Sequence, residues 1–195
     1  TKSSGIIWVL FYGSIFGCFG IIGEEIMNIG NLWKGVSAFL FGLVIAGAAQ
    51  ALETKPTLTL EMAKKIADGC EALQQENGFS PIIIAIKDDG GNTKLLLRQD
   101  NAFLGSILIA EMKATTSSSF PFPSRLFGEI AYGKDGEPGR APGVAEVAGH
   151  AAFPGGLPIL TKDGAHIGSV GVSGATGDED EQCAQAGIDA IADML

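Results

Sequence analysis

The segment that most constrains the fold is a glycine-rich hairpin that leads directly into an acidic helix start. Two apolar runs, residues 157–161 and 167–172, are joined through Lys162-Asp163-Gly164. Asp-Gly between such runs is a strong hairpin signal because glycine accepts positive φ. The second run also contains or adjoins three glycines, Gly168, Gly171 and Gly174. A glycine has no side chain to pack, so glycines within a strand indicate that another backbone or a ligand comes close to it. We therefore predict that a further part of the chain or a ligand covers this strand.

The rest of the chain from residue 59 onward predicts more helices and a second hairpin. Thr176 and Glu179 form a capping box that begins the last helix, predicted over residues 178–195. Apolar periodicity predicts further helices over residues 59–77, 102–119 and 124–131, with Thr59 and Ser124 as caps, and strands over residues 81–87 and 94–98. In the helix over residues 102–119, one stripe is formed by Leu104, Ile107, Leu108 and Met112.

The order of these elements decides the fold class. Helix, hairpin, helices, hairpin and helix favour an α+β protein, in which an antiparallel sheet built from hairpins carries helices packed on it in a single compact domain. Residues 132–143 are too rich in glycine and proline for regular structure and predict a surface loop. Residues 144–147 are ambiguous and could form a brief strand.

The first 51 residues carry the signals of a targeting segment. The chain is 46% hydrophobic, and the excess is concentrated here. Residues 27–51 show a short basic start, an apolar stretch and an Ala-x-Ala site, which is the pattern of a secretory signal peptide. Residues 1–26 are interpreted as upstream sequence or, alternatively, as a membrane anchor, since residues 5–22 are apolar. The expected mature domain is residues 52–195, periplasmic or secreted, with membrane contact only if residues 1–51 are retained.

The net charge limits which partners the protein can bind, and the cysteine content limits which disulfides it can form. The net charge of −9 repels nucleic acid phosphates and argues against nucleic acid as a partner. Cys70 and Cys183 each lie among apolar neighbours on a predicted helix. They are either two buried thiols or, in an exported protein, one disulfide.

Few residues in the sequence suggest a cofactor site. There is no metal-ligand cluster and no Cys-x-x-Cys-His haem attachment, so any cofactor would be held non-covalently. His150 and His166 are the two histidines, and a neutral imidazole can ligate iron. His150 precedes the glycine hairpin and is the stronger candidate. The four carboxylates of residues 178–181 are interpreted as caps that complement the helix dipole.

Several runs resemble the GlcG/HbpS family of haem-binding or haem-degrading proteins. They are Phe153-Pro-Gly-Gly-Leu-Pro-Ile159, Gly168-Ser-Val-Gly-Val-Ser-Gly174, Asp180-Glu-Gln-Cys-Ala-Gln-Ala-Gly187, Arg98-Gln-Asp-Asn-Ala102 and Lys113-Ala-Thr-Thr116. The resemblance covers roughly residues 57–195. It implies an α+β fold, non-covalent binding of haem or a related small ligand, and a homo-oligomer. The family's usual threonine of a Met-Pro-Thr run is replaced by Ser124.

The candidate ligand-binding residues combine this resemblance with the local patterns. They are Arg98, Lys113, Thr116, His150, Gly155 and Gly156. The resemblance implies that Thr116 contacts the ligand and that Lys113 pairs with a propionate. Arg98 and Asp100 could equally tie a strand end to a helix start. The alternative function is an enzyme acting on a small organic acid or cyclic compound, with Lys113, Arg98 or His150 as acid, base or carboxylate clamp. Catalysis is left open.

The targeting pattern leads to a test. Expression from Met27 is expected to yield a mature chain that starts at Leu52, because the small residues Ala49 and Ala51 fit the signal peptidase pockets. N-terminal sequencing of the exported protein checks this expectation. An uncleaved terminus in the membrane fraction would favour the anchor instead.

Overall fold

The computed structural model describes residues 54–195, and the segments interpreted as upstream sequence, anchor or signal peptide lie outside these residues. The α-helices are α1 (Leu60–Asn77), α2 (Ser106–Ser119), α3 (Ser124–Tyr132) and α4 (Gly177–Asp189). The strands are β1 (Ile83–Asp88), β2 (Thr93–Arg98), β3 (Gly133–Lys134), β4 (Glu137–Pro138), β5 (Gly156–Leu160) and β6 (His166–Ser173).

Two hairpins lie side by side in one antiparallel sheet. The strand order is β2-β1-β6-β5, and β1 joins the hairpins by pairing with β6, where Ile84 lies opposite Val172. A separate small ribbon pairs β3 with β4. This arrangement confirms the α+β fold class that the order of elements predicts. Among residues 54–195, no helix is both long and apolar enough to cross a membrane.

The alternation of side chains along the strands divides the core into two parts. Ile84 and Ile86 of β1 belong to the larger cluster, which α1 and α4 cover. Ile83 and Ala85 point to the other face and meet the small alanines of α2. Successive side chains of a strand point to opposite faces, so each strand serves both layers. The result is one sheet between α2 on one side and the α1–α4 pair on the other.

The α1–α4 pair contains both cysteines of the described region. Cys70 and Cys183 are free and buried. Desolvation raises the pKa of the Cys183 thiol to about 11 and raises that of Cys70 further still. Little thiolate therefore forms at neutral pH. Of the two alternatives, the structure shows two buried thiols.

Helix α2 lies unusually close to β6. A Cβ atom on Gly171 would lie 2.2 Å from the carbonyl oxygen of Ala110 and 2.4 Å from the nitrogen of Ala114. The Ser169 hydroxyl donates to the Ala114 carbonyl oxygen at 2.7 Å. As predicted, another part of the chain covers the glycine-bearing strand β6. At Gly171 it is the backbone of α2.

This contact leaves part of the predicted apolar stripe exposed, although Ile107 packs against the smaller core cluster. The helix faces the sheet with small side chains, including those of Ala110 and Ala114. Leu104 and Leu108 are exposed, and Leu104 lies in the turn before the helix, which begins at Ser106 and not near Ala102. Helical periodicity identifies an apolar stripe, but it does not show which face of the helix packs against a strand that contains glycine.

Four further local predictions differ from the structure. Residues 132–143 contain the small ribbon, and residues 142–146 form a 3-10 helix where a strand was possible. Ser124 does not cap its own helix, because its hydroxyl donates to the Phe153 carbonyl oxygen and accepts from the Gly156 N–H. Helix α4 ends at Asp189 and not at the C-terminus, while its predicted capping box is present.

The approach of α2 to β6 generates a stability prediction. Gly171→Ala is expected to lower the free energy of unfolding by about 1–3 kcal/mol, because the new methyl group would overlap helix backbone that cannot move locally. Urea denaturation measures the loss. Gly143→Ala is the matched control, since nothing lies within 4 Å of its added Cβ. Equal stability of the two variants would contradict the close packing.

Candidate functional site

A cleft of about 270 Å³ opens beside α2, the end of β6 and the start of α4. Its floor and walls combine an ion pair, two hydroxyls and two aromatic rings. The residues concerned are Lys113, Asp180, Ser106, Ser173, Phe103 and Phe153. Of the candidate ligand-binding residues predicted from sequence, Lys113 lies in its lining.

Lys113 lies on the sheet-facing side of α2 and is fully buried. Its side chain is 1% exposed, and that of its partner Asp180 is 3% exposed. Lys113 Nζ donates to Asp180 Oδ2 at 2.7 Å and to the Val172 carbonyl oxygen at 2.8 Å. A buried charge needs both a counter-ion and hydrogen bonds, and Lys113 has both.

Asp180 reaches this lysine because the capping box fixes where α4 begins. The Thr176 hydroxyl accepts from the Glu179 N–H, and Glu179 accepts from the Thr176 N–H. Asp180 follows on the buried face of α4, where its second oxygen accepts from the Ala175 N–H at 3.1 Å. The interpretation of residues 178–181 as four caps is therefore incomplete: Asp180 is a buried partner of Lys113.

Burial favours the uncharged form of both members of the pair. Desolvation lowers the pKa of the Lys113 ammonium, and the attraction of Asp180 only partly opposes it. Desolvation likewise raises the pKa of the Asp180 carboxyl against the attraction of Lys113. The two pKa values move towards each other, which favours transfer of a proton between the groups.

Gly155, which precedes β5, and Gly156, the first residue of β5, lie close to this pair and to its helix. A Cβ atom on Gly155 would lie 2.6 Å from Lys113 Nζ, and φ at Gly155 is +116°, a value that suits glycine. A Cβ on Gly156 would lie 2.4 Å from the Lys113 carbonyl oxygen. Both predicted site glycines thus bring the strand against Lys113 and its helix.

The other predicted site residues do not line the cleft. Thr116 is buried, and its hydroxyl accepts from the Ala151 N–H at 2.8 Å, which ties the segment before β5 to α2. Arg98 donates to the Ala102 carbonyl oxygen at 2.9 Å. This bond joins the end of β2 to the turn before α2, as the structural interpretation of Arg98 expects, although its partner is a backbone group and not Asp100.

His150 packs into an aromatic cluster away from the cleft lining. Its ring centroid lies 5.6 Å from that of Phe120 and 5.9 Å from that of Phe127. Nδ1 lies 3.1 Å from the Ala148 carbonyl oxygen, while Nε2 is buried without a hydrogen-bond partner in the described region. Residues 54–195 bring no three metal-ligating side chains together.

Two phenylalanines at the mouth of the cleft are exposed to an unusual degree. Phe103 is 70% exposed, and the half-exposed ring of Phe153 lies 5.3 Å from Lys113 Nζ. The side chains of Ser106 and Ser173 line the same cleft. Sequence reasoning missed Phe103, Ser106, Ser173 and Asp180 as site residues. For Asp180 a signal existed, since it shares a helical face with Cys183, Ala184 and Gly187.

A second groove, of about 410 Å³, is larger but chemically less distinctive. It is lined by Arg125, Asp178 and Glu181, among others. Arg125 is already paired with both carboxylates, and Arg125 and Asp178 are open to solvent. Exposed pairs of this kind are screened by water, so the smaller cleft is the better candidate site.

The fold and the cleft define a class: an α+β domain with a small ligand cleft over a buried lysine–aspartate pair. The family model described as haem degrading protein HbpS-like matches residues 58–189. The chain therefore belongs to the HbpS-like family.

Individual relatives agree with this assignment. An uncharacterized 15.0 kDa protein of Citrobacter freundii, from the dhaT-dhaS intergenic region, is 32% identical over 71% of this chain and 94% of its own. The crystal structure of HbpS is similar with a TM-score of 0.63 and 34% identity, covering 72% of this chain and 94% of that one. The ORFY protein of Klebsiella pneumoniae has a TM-score of 0.65 and 28% identity over 73% and 96% of the two chains.

The buried pair generates a stability prediction. Lys113→Met is expected to lower the free energy of unfolding by about 3–5 kcal/mol at neutral pH, because it leaves the Asp180 carboxylate buried without a counter-ion. Lys65→Met, which breaks an exposed pair with Glu61, should cost no more than about 1 kcal/mol. Urea denaturation compares the two.

The pH dependence of this loss has a definite sign. Burial raises the pKa of Asp180 in the folded protein, so the folded Lys113→Met variant binds a proton more tightly than the unfolded chain does. Its stability should therefore recover as the pH falls from neutral into the acid range. A loss that stays constant with pH would show that the missing counter-ion is not its cause.

Proposed function

We propose that the cleft beside α2 and α4 binds haem or a related tetrapyrrole non-covalently. The observation that carries the proposal is the pair of exposed rings, Phe103 and Phe153, at the mouth of a cleft in a chain of a haem-degrading family. Aromatic rings in this position offer stacking surface to a flat macrocycle. A buried neutral pair behind them avoids placing an uncompensated charge against the ring.

The cleft fits part of a haem group better than all of it. At about 270 Å³ it is small beside ligand pockets of ~300–1,000 Å³, so it would enclose one edge of the macrocycle. The described residues of its lining include no histidine or cysteine to ligate iron. Lys113 is already neutralised by Asp180, so a propionate would have to compete for it. Contact with the ring faces is therefore the proposed source of affinity.

The proposed biological setting is export and self-association. The targeting pattern of residues 27–51 supports action in the periplasm or outside the cell. The exposed side chains of Phe103, Leu104 and Leu108 are adjacent to the cleft and support a homo-oligomer, in which a second copy would cover apolar surface and extend the ring contact.

A second candidate function is catalysis on a small cyclic compound. The observation in its favour is the buried lysine–aspartate pair, whose pKa values are shifted towards each other in a cleft. An organic acid is less suited to the site than a neutral molecule. Lys113 carries no uncompensated positive charge, and the start of α4 holds four carboxylates at residues 178–181.

Haemin titration tests the proposed function. Wild-type protein is expected to shift the Soret band of haemin on binding, and Phe103→Ala should weaken the affinity roughly two- to tenfold, through the loss of one aromatic contact. Tyr132→Ala is the matched control, because Tyr132 is 69% exposed and lies outside the cleft lining. Light scattering on the same samples gives the mass of the haemin-bearing species, which should exceed that of one chain.

Equal haemin affinity of the Phe103→Ala and Tyr132→Ala variants would place the ligand elsewhere. A species with the mass of one chain across the micromolar range would count against the homo-oligomer while leaving the cleft itself in place.

A further inference from the structure

We propose that Lys113 forms an imine with small uncharged aldehydes or ketones that enter the cleft. The inference rests on the position of one amine, its acid–base partner and the charge of the surroundings. It does not depend on tetrapyrrole binding, although both ligands would use the same cleft.

The geometry places a potential nucleophile beside a base. Lys113 Nζ lies 2.7 Å from Asp180 Oδ2, and its second bond is to the Val172 carbonyl oxygen at 2.8 Å. The pair lines the cleft and is otherwise shielded from water. A lysine reacts as the free amine, and burial favours that form because it disfavours the charged one.

The covalent step requires only the pair and the carbonyl compound. The ammonium proton passes to Asp180, and the free amine attacks the carbonyl carbon to form a carbinolamine. Asp180 then returns a proton to the departing hydroxyl group, and one molecule of water leaves as the C=N bond forms. No oxidant or reductant is consumed. The Ser106 and Ser173 hydroxyls line the same cleft and can bind the carbonyl oxygen.

The residues around the pair determine the charge and the size of the carbonyl compounds that fit the cleft. The positive charge of Lys113 is balanced by Asp180, and the first turn of α4 adds Glu179, whereas Asp178 is paired with Arg125. A substrate carboxylate would meet net negative charge. The walls at Phe103 and Phe153 are apolar, and the small volume of the cleft admits few heavy atoms. The site therefore favours short uncharged carbonyl compounds over keto acids.

Reductive trapping tests the proposal on the folded protein. Butyraldehyde is incubated with the protein and sodium cyanoborohydride, which reduces an imine to a stable secondary amine, and peptide mass spectrometry locates the added butyl groups. Lys113 should be labelled faster than exposed Lys64 or Lys65, because burial lowers the pKa of Lys113 and so increases its share of free amine. In urea the three lysines should be labelled alike.

Matched reagents and one variant complete the test. Succinic semialdehyde has the length of butyraldehyde with a carboxylate in place of the methyl group, and it should label Lys113 at least several-fold more slowly. Lys113→Arg retains a positive charge beside Asp180 and should lose only the label at this position. Labelling of Lys113 no faster than of Lys64 in the folded protein would overturn the proposal, and equal rates with the two aldehydes would overturn the charge selectivity.

The result is separable from that of the haemin titration. If haemin binds and Lys113 is not preferentially labelled, the imine proposal fails alone. If Lys113 is labelled and haemin does not bind, the tetrapyrrole proposal fails alone. If both hold, excess haemin should slow the labelling of Lys113, and unchanged labelling would show that the two ligands do not share the cleft.

Discussion

The close approach of α2 to β6 is the constraint on which the rest of the structure depends. Where Gly171 meets the backbone of Ala110 and Ala114, the helix and sheet are separated by less than a side chain. Where the two backbones meet only small residues of α2 fit, so Leu108 points outward, while the half-buried Ile107 packs against the smaller core cluster. The long side chain of Lys113 is the exception on the buried face, and it needs a partner there.

That partner comes from a distant part of the chain and fixes how α4 is attached. Asp180 bonds the Lys113 ammonium with one oxygen and the Ala175 N–H with the other. Replacing a buried pair by apolar residues is often neutral in stability, so the pair is weak evidence for a purely stabilising role. A cleft opens directly over it, and groups with shifted pKa values in clefts are more frequent at functional sites.

The chemistry of the cleft explains how one site could serve a flat ligand and a small reactive one. Phe103 and Phe153 provide apolar surface at the mouth, while the lysine and aspartate below them carry no net charge. Such a site neither attracts nor strongly repels a neutral molecule, and we expect the acidic first turn of α4 to disfavour carboxylates. Membership of the HbpS-like family supports the flat ligand, whereas the buried amine is a property of the geometry itself.

Local signals in the sequence determined much of the fold. Thr59 and Thr176 cap their helices as predicted, because capping depends on neighbours a few residues apart. The Asp-Gly turn and the apolar runs likewise predicted the hairpins, since a turn type and a two-residue alternation are local properties. The glycines of β6 correctly indicated a close neighbour. The order of the elements, in turn, determined the α+β class.

Only the tertiary structure decided which faces and side chains meet. Of the predicted stripe, Leu104 lies before α2 and Leu108 is exposed, because Gly171 of β6 brings the small residues Ala110 and Ala114 against the sheet. Thr116 and His150 lie near the predicted region but hold a loop and fill an aromatic cluster. Lys113 and Asp180 are 67 residues apart. No pattern among neighbouring residues predicts this pair. The two side chains meet only when α2, the sheet and α4 have packed together.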